Sequence, residues 1–315
     1  MFNLFKDPKK LPPLPAKTKE EMPHSKQGVS YKDWHSSHEN KHKWRNRRWA
    51  FLLFMNGLFI LSFALDLSIL EGSLSGSRLI GFYLMDPFNA LQTISIALIQ
   101  GHFPALTMNF WWGVITIILF YSLVGGRTFC SWMCPYHFIA ENIEKLHNYL
   151  VKKKKIKEHT FNQSLRYVFW VGFLILAILT QQLVFEDLNL VGITSRALIY
   201  GPGLIVFWII AVMIFEIVYS KRFWCRYVCP VGATYGMLGK ISPVTIKFDL
   251  DKCGYCTDCQ DVCLVPHELW FVKKGKATQN IHYTGNDCTK CGLCVDICAG
   301  EALTYTVKGI DKLGL

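Results

Sequence analysis

The sequence lacks any residue pattern typical of a nucleotide or flavin site. This absence argues against a reaction that depends on either group being bound to this chain. A secretory signal is also lacking, because the first long apolar block begins only near Trp49 and no small-residue cleavage site follows it. Residues 1–44, rich in Lys, Pro, Ser and His, are therefore predicted to form a disordered, basic cytoplasmic arm.

Acidic residues are scarce relative to basic ones, 23 against 34, which gives a formal net charge of +11. Such an excess indicates nucleic-acid binding when it gathers on one folded surface. Residues 1–48 hold twelve basic and five acidic side chains and residues 127–166 hold eight and three, whereas residues 247–315 hold eight and nine. The excess flanks the apolar blocks, as membrane topology requires, and we expect no nucleic-acid partner.

Apolar residues make up 51% of the sequence and are concentrated in long blocks. Four blocks are predicted to cross a bilayer, which requires about 20 residues: 49–70, 105–124, 165–184 and 203–218. The last is short unless residues 219–224 extend it. The shorter block 88–99 is predicted to form an interfacial or re-entrant helix. Lys and Arg are frequent in the arm, in the middle loop (residues 127–166) and after Lys221, so both termini are predicted to be cytoplasmic.

Two cysteine runs near the C-terminus carry the strongest chemical signal. Cys253 begins C-G-Y-C-T-D-C-Q-D-V-C and Cys288 begins C-T-K-C-G-L-C-V-D-I-C. Each run has the bacterial ferredoxin spacing C-x2-C-x2-C-x3-C, in which three cysteines ligate one [4Fe–4S] cluster and the fourth ligates the other. The proline that often follows the fourth cysteine is missing, because Leu264 and Ala299 occupy those positions.

The spacing predicts two [4Fe–4S] clusters in a reducing compartment. One is expected to be held by Cys253, Cys256, Cys259 and Cys298, and the other by Cys263, Cys288, Cys291 and Cys294. A zinc ribbon is the alternative, but it requires only two C-x2-C pairs. It leaves the third and fourth cysteine of each run unexplained.

A nine-residue motif occurs twice in the membrane region. Segment 127–135 (RTFCSWMCP) aligns without gaps on segment 222–230 (RFWCRYVCP). Each copy follows two predicted spans, so the membrane core is predicted to consist of two related units. Proline disfavours helical geometry in the residue before it and suits the first turn of a new helix. Each C-x3-C-P motif is therefore predicted to lie at a helix break.

We expect the four cysteines of these motifs to converge as a redox-active or metal-binding thiol group between the membrane core and the clusters. The other interpretation is that they are small buried residues that pack a helix end. The cysteines concerned are Cys130, Cys134, Cys225 and Cys229.

The predicted fold is an α-helical membrane protein with a small α+β ferredoxin-like domain. Its parts are the arm (residues 1–44), a four-span membrane domain (residues 45–240) and a cytoplasmic cluster domain with two [4Fe–4S] clusters (residues 241–315).

Together these features resemble the NapH family, the ferredoxin-type membrane component of quinol dehydrogenases that serve periplasmic nitrate reduction. MauN, NosH and the membrane core of NosR share the arrangement. The resemblance covers about residues 45–307 and rests on the paired C-x3-C-P motifs, the two ferredoxin runs and the four spans. Asp86-Pro87 and Leu91-Gln92 also resemble the start of an element in the family's first periplasmic connection.

The resemblance implies a multi-pass protein of the bacterial inner membrane. It would accept electrons from a menaquinol or ubiquinol pool through two clusters and pass them to a respiratory reductase system, for periplasmic nitrate or nitrous oxide reduction. It also implies a ferredoxin-type partner subunit and a multihaem cytochrome or reductase.

Quinol oxidation releases two protons with two electrons, so its site needs a proton acceptor. Ionisable residues inside spans are functional candidates, and Glu216, near the cytoplasmic end of the fourth span, is the first of them. The other interpretation is a helix-end carboxylate that reaches water or pairs with a nearby cation. His137, Glu141 and Glu144 are expected to form the solvated face of an amphipathic helix. Five further ionisable candidates lie toward the periplasmic side, where ordinary solvated loop or helix-end polarity is the expected account of each: Asp66, Asp86, His102, Glu186 and Asp187.

Two other functions remain open. An assembly factor would reduce or deliver a metal through the four C-x3-C-P cysteines. A structural anchor would bind another ferredoxin or a reductase, and its own clusters would only stabilise its fold.

Overall fold

The computed structural model describes residues 12–17, 23, 43–66, 70–79, 82–101 and 107–308. Most of the predicted arm lies outside these residues. Its segment 12–17 lies against the cluster domain, where the Leu14 backbone N–H donates to the Ala277 carbonyl at 2.7 Å. Lys17 Nζ donates to the Leu250 carbonyl at 2.5 Å. This piece of the arm therefore contacts the folded chain, although the sequence predicts disorder for it.

Helices form at all four predicted spans and at the predicted interfacial segment, and a run of π-helix, Trp224–Val228, lies in the second motif. In chain order the α-helices before the cluster domain are α1 (Lys43–Ala64), α2 (Pro87–Gln100), α3 (Met108–Val124), α4 (Thr128–Trp132), α5 (Pro135–Lys152), α6 (Leu165–Thr180), α7 (Val184–Leu188), α8 (Leu190–Tyr200), α9 (Val206–Val218) and α10 (Pro230–Leu238).

The lengths of the apolar helices differ from the predicted spans. Helix α1 has 22 residues, about 33 Å at 1.5 Å per residue, which exceeds the roughly 30 Å hydrocarbon core of a bilayer. Helices α3, α6 and α9 have 17, 16 and 13 residues. Among the described residues, α1 alone is both long and apolar enough to cross a membrane unaided.

A three-stranded antiparallel sheet fills the connection between α1 and α2. Its strands, in the order β1-β2-β3, are β1 (Leu70–Ser73), β2 (Gly76–Leu79) and β3 (Phe82–Met85). Strand β3 packs on α3 so closely that a Cβ at Gly113 would overlap the Tyr83 carbonyl oxygen. Glycine is therefore required where this helix meets the sheet.

Both C-x3-C-P motifs end at a helix break, which confirms that prediction. Cys134 has φ −65° and ψ 116°, and Cys229 has φ −60° and ψ 108°. Each is an extended N-cap residue, and the following proline occupies the first turn of α5 or α10. The two copies thus share a backbone path at their second cysteine. They differ just before it, where the first copy forms α4 and the second forms the π-helix.

The interior of the helical region is rich in aromatic rings. Phe88 of α2 and Phe185 of α7 are fully buried and meet edge to face with ring centroids 5.3 Å apart. Phe129 of α4 stacks on Tyr235 of α10 at 5.0 Å. The second contact holds an element of the first motif against the helix that follows the second motif.

The cluster domain combines a small antiparallel sheet with short helices. Strand β4 (Val244–Asp249) lies between β5 (Ile281–Tyr283) and β6 (Leu303–Val307). Its Ile246 and Phe248 side chains are buried in an apolar core. The short helices are α11 (Asp258–Asp261) and α12 (Leu293–Asp296), with 3₁₀ turns at Leu250–Lys252 and Pro266–Val272.

The cluster domain also caps the first long helix. The Asp296 carboxylate accepts the backbone N–H of Trp44 at 3.0 Å and that of Arg45 at 2.9 Å. These N–H groups lack intrahelical partners at a helix N-terminus, and a carboxylate there also interacts favourably with the helix dipole. The start of α1 is therefore joined to the last residue of α12, between Cys294 and Cys298.

Candidate metal centres

The two ferredoxin runs fold into loops with the same backbone path. Tyr255 and Lys290, which precede the second cysteine of each run, have φ values of 55° and 51°, and Thr257 and Gly292, which follow it, have 66° and 78°. In both loops a short helix, α11 or α12, begins after the second left-handed residue. Equal spacing of the cysteines thus gives equal local geometry.

One group of cysteines unites the first three of the first run with the last of the second run. Electrostatic repulsion links Cys259 with Cys253, Cys256 and Cys298. The sulfur atoms also accept backbone N–H groups: Tyr255 donates to Cys253 at 3.4 Å and Ala302 donates to Cys298 at 3.2 Å. Such N–H···S bonds are typical of iron–sulfur ligands, whose redox potential they adjust.

The second group lines a small enclosed cavity of about 10 Å³, with apolar neighbours that include Ile246 and Val265. Val265 donates its backbone N–H to Cys263 Sγ at 3.4 Å. The cysteines of this cavity are Cys263, Cys288, Cys291 and Cys294. Both groups have the membership that cross-ligation predicts, and their role as cluster ligands stays a prediction.

The donor set fits iron–sulfur clusters. Burial raises the pKa of the Cys253 and Cys288 thiols to about 11, so a bound cationic group is needed to hold them as thiolates near neutral pH. Among the described residues, the one group of three or more His, Cys, Asp or Glu ligand atoms within 4.8 Å of one another is His267, Glu268 and Asp287. Four thiolates around one zinc ion at about 2.3 Å stand only about 3.8 Å apart. No three described cysteine sulfur atoms lie within 4.8 Å of one another. This wider separation of the sulfur atoms favours clusters over the zinc alternative.

His267, Glu268 and Asp287 form a hydrogen-bond network. Glu268 accepts the backbone N–H groups of Gly285 at 2.6 Å and of Asp287 at 3.2 Å. His267 Nε2 lies 3.2 Å from Asp287 Oδ2. Since the carboxylate of Asp287 also binds an arginine, a cation at this place would meet like charge.

Asp287, next to Cys288, is the main polar link between the cluster domain and the helical region. Arg166 Nη2 lies 2.8 Å from Asp287 Oδ2, and Arg127 Nη1 lies 3.7 Å from Oδ1. Although burial alone raises the pKa of this carboxyl group, the His267 hydrogen bond and the two guanidinium groups lower it well below its usual range. Arg127 belongs to the first C-x3-C-P motif, so the motif and the cluster loop are joined.

Lys290 joins the same cluster loop to the end of α3. Its Nζ donates to Ser242 Oγ at 3.0 Å, and its side chain lies against Gly125. Burial lowers the pKa of Lys290 to about 8. Its carbonyl accepts the Trp132 Nε1–H at 3.0 Å and the Tyr305 hydroxyl at 2.6 Å. The cluster loop is thus anchored on both sides.

The structure brings the four C-x3-C-P cysteines together. Cys130, Cys134, Cys225 and Cys229 line one cavity of about 40 Å³ between the helical region and the cluster domain, which we call the thiol chamber. Arg127 and Arg222, the first residues of the two motifs, line it as well. Their convergence agrees with the sequence prediction, and their chemical role stays a prediction.

Glu216 is completely buried beside the thiol chamber. Its carboxylate accepts the Tyr136 hydroxyl at 3.0 Å and the Trp224 backbone N–H at 3.0 Å. Tyr136 and Trp224 both line the chamber. A carboxylate that reaches out to water is therefore the wrong interpretation of Glu216, since its partners lie in the protein interior.

A buried charge network was missed by the sequence reasoning, which expected His137, Glu141 and Glu144 on a solvated helix face. His137 and Glu141 are buried. Arg48 Nη2 donates to Glu141 at 2.6 Å, and Arg48 Nη1 lies 2.9 Å from His137 Nε2. Arg222 pairs with Glu144. The expectation was wrong because cations from α1 and from the second motif cover that face, and the recurring motif arginine was the one available signal.

The other ionisable candidates toward the opposite end have varied surroundings. Asp86 caps α2 by accepting the N–H groups of Phe88 and Asn89 at 3.0 Å each, and burial raises its pKa to about 7. Asp66 and Asp187 are exposed, and Glu186 is half-buried. His102 lies outside the described residues.

Comparison with known proteins finds one family model and several similar proteins. A family model described as a 4Fe-4S binding domain matches residues 107–157 and 200–248. The chain is 34% identical to the ferredoxin-type protein NapH of Escherichia coli over 86% of this chain and 93% of that protein. It is 30% identical to NapH of Haemophilus influenzae over 84% and 92% of the two chains.

The methylamine utilization ferredoxin-type protein MauN of Methylorubrum extorquens is also 30% identical, over 85% of this chain and 90% of that protein. No solved structure gives a significant match. The residues that the family model matches include both C-x3-C-P motifs and end before Cys253.

Proposed function

Because the chain belongs to the family of ferredoxin-type proteins that includes NapH and MauN, we propose that it carries electrons from membrane quinol to a respiratory reductase system. One observation carries the proposal: eight cysteines form two groups of four, in a domain joined by salt bridges to helices with exposed apolar faces. Quinol is dissolved in the lipid bilayer, whereas an iron–sulfur cluster must be held by protein ligands. A cysteine-rich domain joined to apolar helices suits both requirements.

The chain's own residues hold and adjust the two [4Fe–4S] clusters of this proposal. Each cluster, when bound, takes up one electron at a time. The backbone N–H groups of Tyr255, Val265 and Ala302 point at ligand sulfur atoms, which stabilises negative charge there. The apolar side chains Phe248 and Leu269 keep the surroundings dry, and burial of this kind is a second control on potential.

Exposed apolar side chains support a four-span membrane domain. Large apolar residues with half or more of their surface exposed occur on α1, α3, α6 and α9, and a soluble protein rarely presents so much apolar surface. Such residues include Phe54, Leu61, Leu119, Leu123, Val168, Leu179, Phe207 and Ile214. With the basic loops on one side, they support a multi-pass inner-membrane protein whose termini face the cytoplasm.

Glu216 is the proposed proton acceptor. Oxidation of one quinol yields one quinone, two protons and two electrons, and two one-electron clusters match the two electrons. The Glu216 carboxylate, held by Tyr136 and by the Trp224 backbone, lies in a segment otherwise made of apolar residues. Burying a carboxylate inside an apolar span is costly, so such a residue is a functional candidate.

The proposed acceptor is a periplasmic nitrate or nitrous oxide reductase system, reached through a ferredoxin-type subunit and a multihaem cytochrome. We choose this acceptor because the chain is similar to NapH proteins, whose family is associated with periplasmic nitrate reduction. The MauN relatives, with similar identity, are named for methylamine utilization. A methylamine-linked electron chain is therefore the other acceptor to test.

Reduction by a quinol analogue tests the proposal. Anaerobically purified protein in lipid nanodiscs is mixed with menadiol, and the cluster absorbance and EPR signal are followed. We expect menadiol to reduce the clusters. Clusters that dithionite reduces but menadiol leaves oxidised at every pH and potential tried would overturn the quinol step and favour a structural anchor.

A Glu216→Gln variant separates proton transfer from cluster assembly. The amide oxygen still accepts the Trp224 N–H, the amide NH2 group can donate to the Tyr136 hydroxyl oxygen, and the amide takes no proton at neutral pH. We expect the rate of menadiol-driven reduction to fall by tenfold or more, in the range typical for loss of a general base. Reduction by dithionite should be unchanged. Equal menadiol rates in both proteins would remove Glu216 from the mechanism.

A further inference from the structure

The thiol chamber plays no part in the two cluster groups of the cluster domain, yet its four cysteines come from two separate motifs. Cys130 and Cys134 belong to the first copy, and Cys225 and Cys229 to the second, about 95 residues later. The internal repeat thus delivers two thiols from each half to one enclosed place. All four are free thiols.

Positive charge is directed at these sulfur atoms. The Arg127 guanidinium faces Cys130, and Arg222 faces Cys225. The backbone N–H groups of His137 and Gly232, at the N-termini of α5 and α10, face Cys134 and Cys229. These helices have 18 and 9 residues, and helix N-termini attract negative charge. Each of the four sulfur atoms therefore has a guanidinium group or a helix N-terminus beside it.

The arginines argue against a role in packing alone. Arg127 is 4% exposed and Arg222 is 2% exposed. Arg127 Nε and Arg222 Nη2 have no hydrogen-bond partner in the described part of the chain. Burying a guanidinium is costly unless anionic charge compensates it. Asp287, 3.7 Å from Arg127, and Glu144, which pairs with Arg222, compensate part of this charge, but Arg127 Nε and Arg222 Nη2 still lack an acceptor among the described residues. Four thiolates on a metal group would supply the further negative charge beside these two atoms.

The donor set and the spacing select the kind of metal group. His137, the one imidazole in the lining, is already held between Arg48 at 2.9 Å and Arg222 at 3.3 Å, so sulfur supplies the ligands. No three of these sulfur atoms, as described, lie within 4.8 Å of one another, which is too wide for a single zinc or copper ion. A cluster binds each thiolate through a different iron atom and accepts this wider spacing.

The size of the chamber agrees with a cluster. The cavity lined by Cys263, Cys288, Cys291 and Cys294 measures about 10 Å³, and its spacing is that of a ferredoxin site. The thiol chamber measures about 40 Å³. If the smaller cavity accepts a four-iron cluster between its thiolates, the larger one accepts it too.

The two cavities share part of their wall. Val265 and Thr289 line both of them, and these residues follow the ligands Cys263 and Cys288 closely in sequence. A group in the thiol chamber would be separated from the second cluster by about one side chain. A one-electron carrier held there by the motif cysteines would supply a relay between quinol, the two-electron reductant of the proposed function, and the second cluster.

We propose that Cys130, Cys134, Cys225 and Cys229 ligate a third [4Fe–4S] cluster, placed between the membrane region and the two clusters of the cluster domain. This inference rests on the proposed function for those two clusters, and it adds the centre through which electrons enter. The duplicated C-x3-C-P motif is then a four-thiolate site divided between two halves of the chain.

Iron and acid-labile sulfide counting tests the proposal. The full chain is purified anaerobically, its clusters are reconstituted, and both elements are measured per chain. At four irons per cluster, we expect about twelve irons and twelve sulfides. A variant with Ser at Cys130, Cys134, Cys225 and Cys229 should lose one third of both. Ser at Cys253, Cys256, Cys259 and Cys298 is the matched control and should also lose one third, with a different EPR signal lost.

The outcomes are distinct. About eight irons in the wild-type protein, or the same iron content with and without the four motif cysteines, would overturn the third cluster and leave the proposed function standing. Eight irons with one copper or zinc that the motif variant loses would overturn it in favour of metal handling. Protein without iron would overturn the proposed function itself. If the motif variant does not fold, the wild-type count still decides.

Discussion

Asp86 combines full burial with a cap on α2, and its ionisation should control local stability. Oδ1 accepts two backbone N–H groups, while Oδ2 has no partner among the described residues. Burial raises the pKa of this carboxyl group from 3.8 to about 7. The folded state therefore holds the proton more tightly than the unfolded chain does, and stability falls as the pH rises from about 4 to about 7.

The Asp86→Asn variant should remove this dependence, because the amide oxygen retains the cap and carries no charge. We expect the variant to be more stable than wild type by about 1.6 kcal/mol at pH 5 and by a larger margin at pH 8. The full difference is about 4 kcal/mol at about 1.4 kcal/mol per pKa unit. Exposed Asp187→Asn is the control and should show no such gap. A variant that melts lower than wild type at pH 8 would contradict the assignment.

Asp287 should matter more for stability than any exposed acidic residue of the cluster domain. Its removal leaves Arg127 and Arg166, both almost fully buried, without their carboxylate partner. Breaking a buried pair in this way costs about 3 kcal/mol. We expect Asp287→Asn to lower the thermal unfolding temperature by several degrees and Asp261→Asn, at an exposed site, to leave it unchanged. Equal effects of the two substitutions would contradict this role.

The predictable residues were those whose conformation depends on neighbours in the sequence. The ferredoxin spacing predicted which cysteines would gather, because left-handed residues at fixed positions set each loop locally. The burial of His137 and Glu141 was not predictable from their own helix, since Arg48 lies about 90 residues away. The ligand roles of all twelve cysteines stay predictions.

Among the elements, α1 depends on the cluster domain for its first turn. Asp296 accepts the backbone N–H groups of Trp44 and Arg45. Loss of a helix cap costs about 1 kcal/mol, so Asp296→Ala should increase the amide exchange of residues 43–46 by roughly fivefold. The exposed control Asp251→Ala should leave their exchange unchanged. Unaltered protection in the Asp296 variant would show that other contacts hold the start of α1.

The positions of the elements were more predictable than their ends. Apolar blocks and the breaks before Pro135 and Pro230 located the long helices, but α6 ends earlier than predicted and α9 begins later. The sheet β1-β2-β3 was missed, because each strand has only four residues and its packing against α3 depends on Gly113, far along the chain. The π-helix of the second motif likewise has no local signal that separates it from α4.

At the scale of the whole molecule, the proposed topology predicts which loops face the periplasm. A protease site inserted after Lys154 should be cut only in permeabilised cells. The same site inserted after Gly201 should be cut in intact spheroplasts, because the loop between α8 and α9 lies on the other side. Cleavage of both sites in spheroplasts, or of the Lys154 site alone, would contradict the four-span arrangement.

The mostly helical fold followed from composition, whereas the joint between the helices and the residues around the ferredoxin runs did not. That joint depends on contacts such as Arg166 with Asp287 and Lys290 with Ser242. Pairs of this kind form between residues far apart in the sequence, and no periodic pattern in the sequence indicates them. The sequence predicted only that the two motifs converge. A repeat indicates that two segments are equivalent, but it does not give the distances between their cysteines.

The most direct test of the account is the metal and sulfide content of anaerobically isolated protein. The two proposed [4Fe–4S] clusters of the cluster domain predict iron and acid-labile sulfide in a one-to-one ratio, with about eight or more of each per chain. Zinc as the main metal, with neither iron nor labile sulfide, would contradict the account.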